Sequence, residues 1–423
     1  MRWKRLAVGA AVALAVWAPA QHASAHAGLE GSVPAPNAVL DAGPPSIELD
    51  FDEAVDAGLA HIELYDQTAT LVPIGAPQPG GDDSIVRASV PTIGEGVYVV
   101  VWRVPSDDGH VVDGVFSFQV GNQSGFDVGA LIDEVSGNAT ATSTVGRMET
   151  ASRLLAVIGL VVLVGGGLWA LQVVDVADNR MLLWMAWAFL LVGSLGQFGL
   201  YGAKVVAGSP ADAVNPSVWG KIADSHTGTV LIIRMVLVLL LAGLLLVMQC
   251  RGRTEWRVAA TLLSAGVITT FSTIGHANAQ DPAVLWVTVD AVHLAAISLW
   301  IGGLLMFAFG ASSWLSDGAT ATIVRRFSAT AMVAVPVIVA TGVAQTLKLA
   351  GNLDDLTSTS WGRTLLVKVA VVAVLIAVGG VSQWVLRHDG PASLKRNVLV
   401  EALIGIVVIG LAAALVALPP RVV

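Results

Sequence analysis

Two hydrophobic rhythms divide the chain. Between residues 26 and 120 apolar side chains recur at every second position. Ile47, Leu49 and Phe51 alternate with Glu48, Asp50 and Asp52, and His61 to Tyr65 repeats the alternation, which is the period of a strand with one wet face. Gly96 to Val104 is Val-rich and carries Tyr98 and Trp102, and Val111 to Val120 holds Phe116 and Phe118, residue types that favour strands. Clusters such as Asp41-Ala42-Gly43-Pro44-Pro45 and Gln78-Pro79-Gly80-Gly81-Asp82-Asp83 separate the runs. Short strands punctuated in this way predict an all-β Greek-key barrel or sandwich over 26–121. Residues 122–150, rich in Gly, Ser, Thr and Asn, read as a linker with room for one short amphipathic turn.

From residue 151 the pattern becomes continuous. Eight apolar runs follow, over Leu154–Val174, Met181–Gly202, Thr229–Met248, Val258–Ile274, Val284–Phe309, Phe327–Leu349, Thr364–Leu386 and Val398–Leu418. Each is near the ~20 residues that span a hydrocarbon core. An all-α polytopic membrane domain of about eight transmembrane helices over 151–423 is the expectation. Pro336 is expected to kink the sixth span.

Composition agrees. Of 423 residues 55% are hydrophobic and 13% charged, with a mean hydropathy of +0.74. A soluble domain carries about 25% charged residues, so a single water-soluble globule is excluded. The net charge of −8 excludes a broadly basic nucleic-acid binder. A single cysteine, Cys250, excludes intramolecular disulfides, Cys-rich zinc sites and Cu(I) transport by paired thiolates. There is no GxxxxGK[ST] run, so no nucleotide partner is expected.

At the start, Arg2, Lys4 and Arg5 precede the short apolar stretch Leu6 to Trp17, and Ala23-Ser24-Ala25 fits the small-residue cleavage rule. Residues 1–25 read as a signal peptide, the alternative being an uncut signal anchor. With the β domain outside, the inner loops hold Arg180; Arg251, Arg253 and Arg257; Arg325 and Arg326; and Arg387, Lys395 and Arg396. The outer loops hold Lys221 with Asp212, Asp224, Asp281, Asp354 and Asp355. This meets the positive-inside rule. A multi-pass cell-membrane protein with an extracytoplasmic N-terminal domain is the expectation.

Cleavage after Ala25 leaves His26 first, offering an α-amine and Nδ1 that close one chelate ring. Asp108-Gly109-His110 adds a carboxylate and a second imidazole. Nitrogen donors with a carboxylate beside them suit Cu(II), although a DGH tripeptide by itself is commonly just a turn. The α-amine has a reference pKa of about 7.7–8.0, so binding should weaken as pH falls. Within the fifth span Trp286, Asp290, His293, Ile297 and Trp300 share a helix face. His293 lies roughly 14 Å below the outer end at the helical rise. His276 and His226 lie near the outer surface, so His226, His276, Asp290 and His293 form a candidate copper path, weighed against plain interfacial histidines and a His293–Asp290 hydrogen bond. Lys368 is placed to snorkel or to pair with Asp290. Glu401, about one turn past Arg396, is as well suited to an ion pair as to transport.

These residues carry a resemblance. His26-Ala27, Ser32-Val33-Pro34-Ala35-Pro36, Ile47-Glu48-Leu49-Asp50-Phe51, Gly96 through Val104 and Asp107-Asp108-Gly109-His110 resemble the CopC family of copper-binding proteins. The resemblance implies a Greek-key barrel, His26, Asp108 and His110 as Cu(II) ligands, and Glu53 as an outer-shell partner of His26. Some members add a Met-rich Cu(I) site, whereas here no methionine lies between Met1 and Met148, so Cu(II) alone is expected. Asp290-Ala291-Val292-His293-Leu294, Ser298 through Leu304, Trp361 through Lys368 and Arg396 through Glu401 resemble CopD, the copper-resistance membrane protein. A fused CopC–CopD chain implies copper homeostasis. The β domain captures Cu(II) outside, and copper as the transported ion moves across the bilayer toward a cytoplasmic copper acceptor. The alternatives are an extracytoplasmic copper-sequestering resistance protein whose membrane half does not transport, and a copper monooxygenase-like enzyme. The bound carboxylate and two imidazoles leave little open coordination for oxygen chemistry, so no enzyme is expected.

Overall fold

The computed structural model describes residues 28–106, 109–122, 126–136, 140–168, 180–247, 254–310, 320–350, 354–389 and 394–416. The leader, His26, Asp108 and Cys250 lie outside them. The chain divides into two units. Among the described residues, one comprises those from Gly28 to Glu149 with Phe198–Thr229, the other Thr150–Gln197 and those from Val230 onward.

The first unit is built on β1 (Leu29–Val33), β2 (Val39–Leu40), β3 (Ser46–Phe51), β4 (His61–Tyr65), β5 (Leu71–Val72), β6 (Gln78–Pro79), β7 (Ile85–Ser89), β8 (Gly96–Pro105) and β9 (Val111–Val120). One sheet has the order β1-β3-β7-β6 and the other β2-β9-β8-β4-β5. The expected alternation sets the core. Ile47, Leu49 and Phe51 on β3 are at most 2% exposed, and Ile62 and Leu64 on β4 and Val86 and Ala88 on β7 point the same way. Phe51 meets Trp102 edge-on at 5.3 Å, and Tyr98 stacks on its cross-strand partner Phe118 at 5.5 Å. β8 does not alternate, because Val97 to Val100 are all buried. A helix, α1 (Val128–Ser136), supplies the second cover: Leu131 packs on Val97 and Val99. The expected linker is therefore corrected. It contains α1 and the start of α2 (Thr140–Leu160), since Val128, Leu131, Ile132 and Val135 give α1 an apolar face that matches the outer valines of β8.

The helices continue with α3 (Arg180–Val205), a 3-10 turn (Pro210–Val214), α4 (Pro216–Ile222), α5 (His226–Val247), α6 (Thr254–Ser272), α7 (Ala283–Ile297), α8 (Gly303–Gly310), α9 (Thr320–Leu349), α10 (Asp355–Ser358), α11 (Ser360–Asp389) and α12 (Leu394–Val416). Among the described residues seven stretches are long and apolar enough to cross a membrane. This is a multi-pass membrane protein. The fourth expected span coincides with α6, which is not one of the seven. Its early Glu255 and Arg257, and Thr261, Ser264, Thr269 and Thr270, dilute its apolar character. α9 runs unbroken from Thr320 to Leu349 through Pro336.

Two segments depart from α-helical winding. α2 runs on into a π-helical turn at Val161–Gly166, and a second, Ser298–Gly302, joins α7 to α8. The two turns pack on each other backbone to backbone: a Cβ at Gly165 would lie 1.7 Å from the Ser298 carbonyl oxygen, and one at Gly302 would lie 2.0 Å from that of Val161. Only glycine permits this approach.

Candidate functional site

In the β unit, three stretches of chain meet around Asp52–Asp56. The Gly28 N–H donates to Asp52 Oδ1 at 2.6 Å, and the Asp52 N–H donates to the Gly28 carbonyl at 3.0 Å. At the other end, Val55 bridges to Ser106, and the Asp56 N–H donates to the Pro105 carbonyl at 2.8 Å. Pro105 pairs with Val111 where β8 meets β9, with Ser106 and His110 flanking that end of the pair. The Ser106 N–H reaches the His110 carbonyl at 2.8 Å, and Gly109 takes a φ of 86°, which a side chain would strain. His110 is thereby buried, at 7% exposure, and Glu53 lies half-buried in the shared segment.

The helical unit gathers polar side chains on α7, α9 and α11 with the end of α6. The Gln345 Nε2 donates to Asp290 Oδ1 at 3.0 Å, and His293 Nδ1 lies 2.7 Å from Thr341 Oγ1. Lys368, His276 and Ser272 act on Asp290 electrostatically or by hydrogen bonding, and Lys368 also acts on His293. The Thr341 hydroxyl sends its proton to the Val337 carbonyl at 2.6 Å. It therefore accepts from His293, which places an imidazole proton on Nδ1. His293 is 8% exposed, and a Cβ on Gly342 would come within 3.3 Å of its ring. Among the described residues no group of three or more His, Cys, Asp or Glu side chains could hold a metal ion.

Three family models match the chain: the CopC domain over residues 29–121, the Copper resistance protein D-like N-terminal domain over 147–284, and Copper resistance protein D over 321–415. The Copper transport protein CutJ of Bacillus subtilis (strain 168) is 25% identical over 415 residues, 93% of this chain and 74% of that protein. Protein YobA of Escherichia coli (strain K12) is 31% identical over 99 residues, 23% of this chain and 79% of that protein. The chain is a fused member of the CopC and CopD families. Of solved structures, CopC from Methylosinus trichosporium OB3b is 28% identical, covers 24% of this chain and 100% of its own, and has a TM-score of 0.22.

In the CopC part, His110 and Glu53 are described and His26 and Asp108 are not. In the CopD part, Asp290, His293 and His276 belong to one neighbourhood, but not as a ligand trio, and His226 belongs to the other unit. The His293–Asp290 hydrogen bond weighed as the alternative does not form; the two have separate partners, Thr341 and Gln345, because α9 presents a hydroxyl and an amide one turn apart opposite them. Glu401 accepts from Ser382 on α11. Sequence reasoning missed Thr341 and Gln345, and also Arg234, whose signal was plain: a lone cation inside the apolar run of α5.

Proposed function

We propose that the CopC part captures Cu(II) outside the membrane through His26, Asp108 and His110, with Glu53 behind His26, and that the CopD part passes copper inward past Asp290 and His293. The leader and the Arg-rich inner loops support this orientation, with α6 as the fourth of eight crossings. His26 stands two residues before Gly28, the residue tied to Asp52, and His110 flanks the end of the β8–β9 pair tied to Val55 and Asp56, which favours a site shared between them. His226 and His276 offer imidazoles on the way in, and a cytoplasmic acceptor receives the ion.

The observation that carries the reading is the Asp290–His293 cluster. An acid and an imidazole within an apolar bundle are costly and mark ion pathways. Here α9 holds both, through Thr341 on His293 and Gln345 on Asp290, with Lys368 of α11 and Ser272 of α6 acting on Asp290. CutJ, a copper transport protein by name, matches across nearly the whole chain. A second reading, extracytoplasmic sequestration without transport, is favoured by the lack of a ligand trio among the described helical residues. In neither reading is the protein an enzyme.

The test is copper content by elemental analysis of cytoplasmic and envelope fractions from cells expressing wild type, His293→Ala or His26→Ala at matched levels. Transport predicts a cytoplasmic rise that His293→Ala abolishes. A rise confined to the envelope, dependent on His26 and indifferent to His293, establishes sequestration instead.

A further inference from the structure

One buried acid of the helical unit takes no part in the Asp290–His293 cluster. Glu401 on α12 is 6% exposed, and its helix neighbours Val398 and Ala402 belong to the apolar core. Ser382 on α11, itself buried, donates its hydroxyl proton to Glu401 Oε1. A carboxylate offers about four acceptor sites, and among the described residues Ser382 is the one side chain that acts on this one. Beside the other oxygen there is room. A Cβ on Gly379 of α11 would meet only Glu401 Oε2, at 3.8 Å, and one on Gly380 would meet nothing within 4 Å. Gly379 is half-buried and Gly380 exposed, so at these two positions no side chain of α11 stands between the helix surface and the carboxyl.

No cation stands ready to neutralise the acid. α12 packs on α11, α8 and the second π-helical turn. Neither α8 nor that turn contains a charged or titratable residue. On α11, Arg363 and Lys368 stand near the first end, with Lys368 fourteen residues before Ser382, about 21 Å at the helical rise. Arg387 and His388 occupy positions about 140° and 120° round α11 from Ser382, and Asp389 lies about two turns beyond it. Lys395 and Arg396 occupy positions about 120° and 140° round α12 from Glu401.

The acid therefore lies toward the other end of α11 from Lys368, which acts on Asp290 and His293. Glu401 is seven residues from the start of α12 and Ser382 seven from the end of α11, about 10 Å from the connection between the two helices. An ionised carboxylate served by one hydroxyl in apolar packing would keep its charge uncompensated, and a group so placed neutralises itself by binding a proton.

We propose that Glu401, with Ser382, is a proton site at the end of the bundle away from the Asp290–His293 cluster, occupied in the copper-free protein and emptied when copper reaches that end. The O–H bond of the carboxyl breaks, the proton passes to the water next to the α11–α12 connection, and the carboxylate left behind balances one positive charge of the ion. No electron moves. The coupling to copper rests on the transport reading, whereas the proton site itself does not.

The test is infrared spectroscopy of the full-length protein in phosphatidylcholine vesicles at neutral pH. Wild type should show the carbonyl stretch of a protonated carboxyl that Glu401→Gln lacks, and Ser382→Ala should shift that band by removing its hydrogen bond. An identical carboxyl region in wild type and Glu401→Gln overturns the proposal and makes Glu401 an ionised structural group. If Glu401→Gln fails to fold, a band that Ser382→Ala leaves unshifted overturns it equally. Copper(I), supplied as copper sulfate with ascorbate, should then remove the band and acidify the lumen of lightly buffered vesicles as it accumulates, read by a trapped pH dye, and Glu401→Gln should lose the acidification. A band that persists while copper accumulates overturns the coupling. Wild-type vesicles that accumulate no copper yet show the band sink transport and leave the proton site standing.

Discussion

A single methyl group at Gly165 tests the packing on which the helical unit depends. Its Cβ would sit 1.7 Å from the Ser298 carbonyl oxygen and 2.2 Å from the carbonyl carbon, where ordinary contact begins at 3.4 Å. Both obstacles are backbone, so no rotamer change relieves them, and the two π-helical turns must part by about 1.7 Å to restore ordinary contact. Overpacking of this kind costs up to about 3 kcal/mol. Alanine in place of glycine returns about 1 kcal/mol of helix propensity. The net loss is about 2 kcal/mol, a factor of about 30 in the folded-to-unfolded ratio. The assay is unfolding of the full-length protein in mixed micelles with rising dodecyl sulfate, followed by near-ultraviolet circular dichroism. Gly243→Ala on α5 is the control, because a Cβ there meets nothing within 4 Å. Gly165→Ala unfolding at the same or a higher denaturant fraction than Gly243→Ala would refute the reasoning.

Thr341→Val removes the acceptor that fixes the His293 tautomer, and copper uptake should fall about 10- to 100-fold, as for other partners that orient a metal-binding histidine; Thr341→Ser should keep most of it, and an unimpaired Thr341→Val would exclude the tautomer argument. Asp290→Asn strips Lys368 of its counter-charge beside His293, so uptake should drop, and adding Lys368→Met should recover part of it; a double variant no better than Asp290→Asn alone would show that the carboxylate acts in some other way. His61 on β4 is held below its ordinary pKa of 6.5 by burial first, then by Lys221 and Arg103, against the pull of Glu63. The unfolded chain therefore binds this proton more readily, so His61 contributes stability above pH 6.5 that is lost as the pH falls through its lowered folded value. Proton NMR of its ring should place the midpoint below 6.5, and His61→Gln should flatten the slope of stability against pH in that window.

The strands of the β domain were legible where water lies on one side. β3 and β4 alternate because each has one exposed face; β7 alternates as well, but its inward Val86 and Ala88 are small beside Ile62 and Leu64 of β4, so its pattern is weaker. α1 was missed for a different reason. Its apolar face makes sense only once the outer valines of β8 need cover, and that need arises from the fold. Apolar runs revealed the membrane helices, but they hide winding, because Val161 to Gly166 looks like any other stretch of a span. The cluster was half legible. Asp290 and His293 stand out in an apolar run, whereas Thr341 and Gln345 do not, since a hydroxyl in a membrane helix can satisfy itself on the preceding turn, as Thr346 does on Gly342.

Charged groups occur in a bundle that should avoid them, and neighbouring helices meet each one. Lys368 on α11 has the carboxylate of Asp290 on α7 beside it. Arg234 on α5 donates instead to the Thr270 hydroxyl and carbonyl and to Gln197, with Phe271 under its plane. Arg234 therefore relies on neutral acceptors and a ring face, whereas Asp290 and Lys368 offset each other beside His293. The glycines at the two π-helical turns, Gly165 and Gly302, let α2 and α7 meet backbone to backbone, a packing that any larger residue at either position would break.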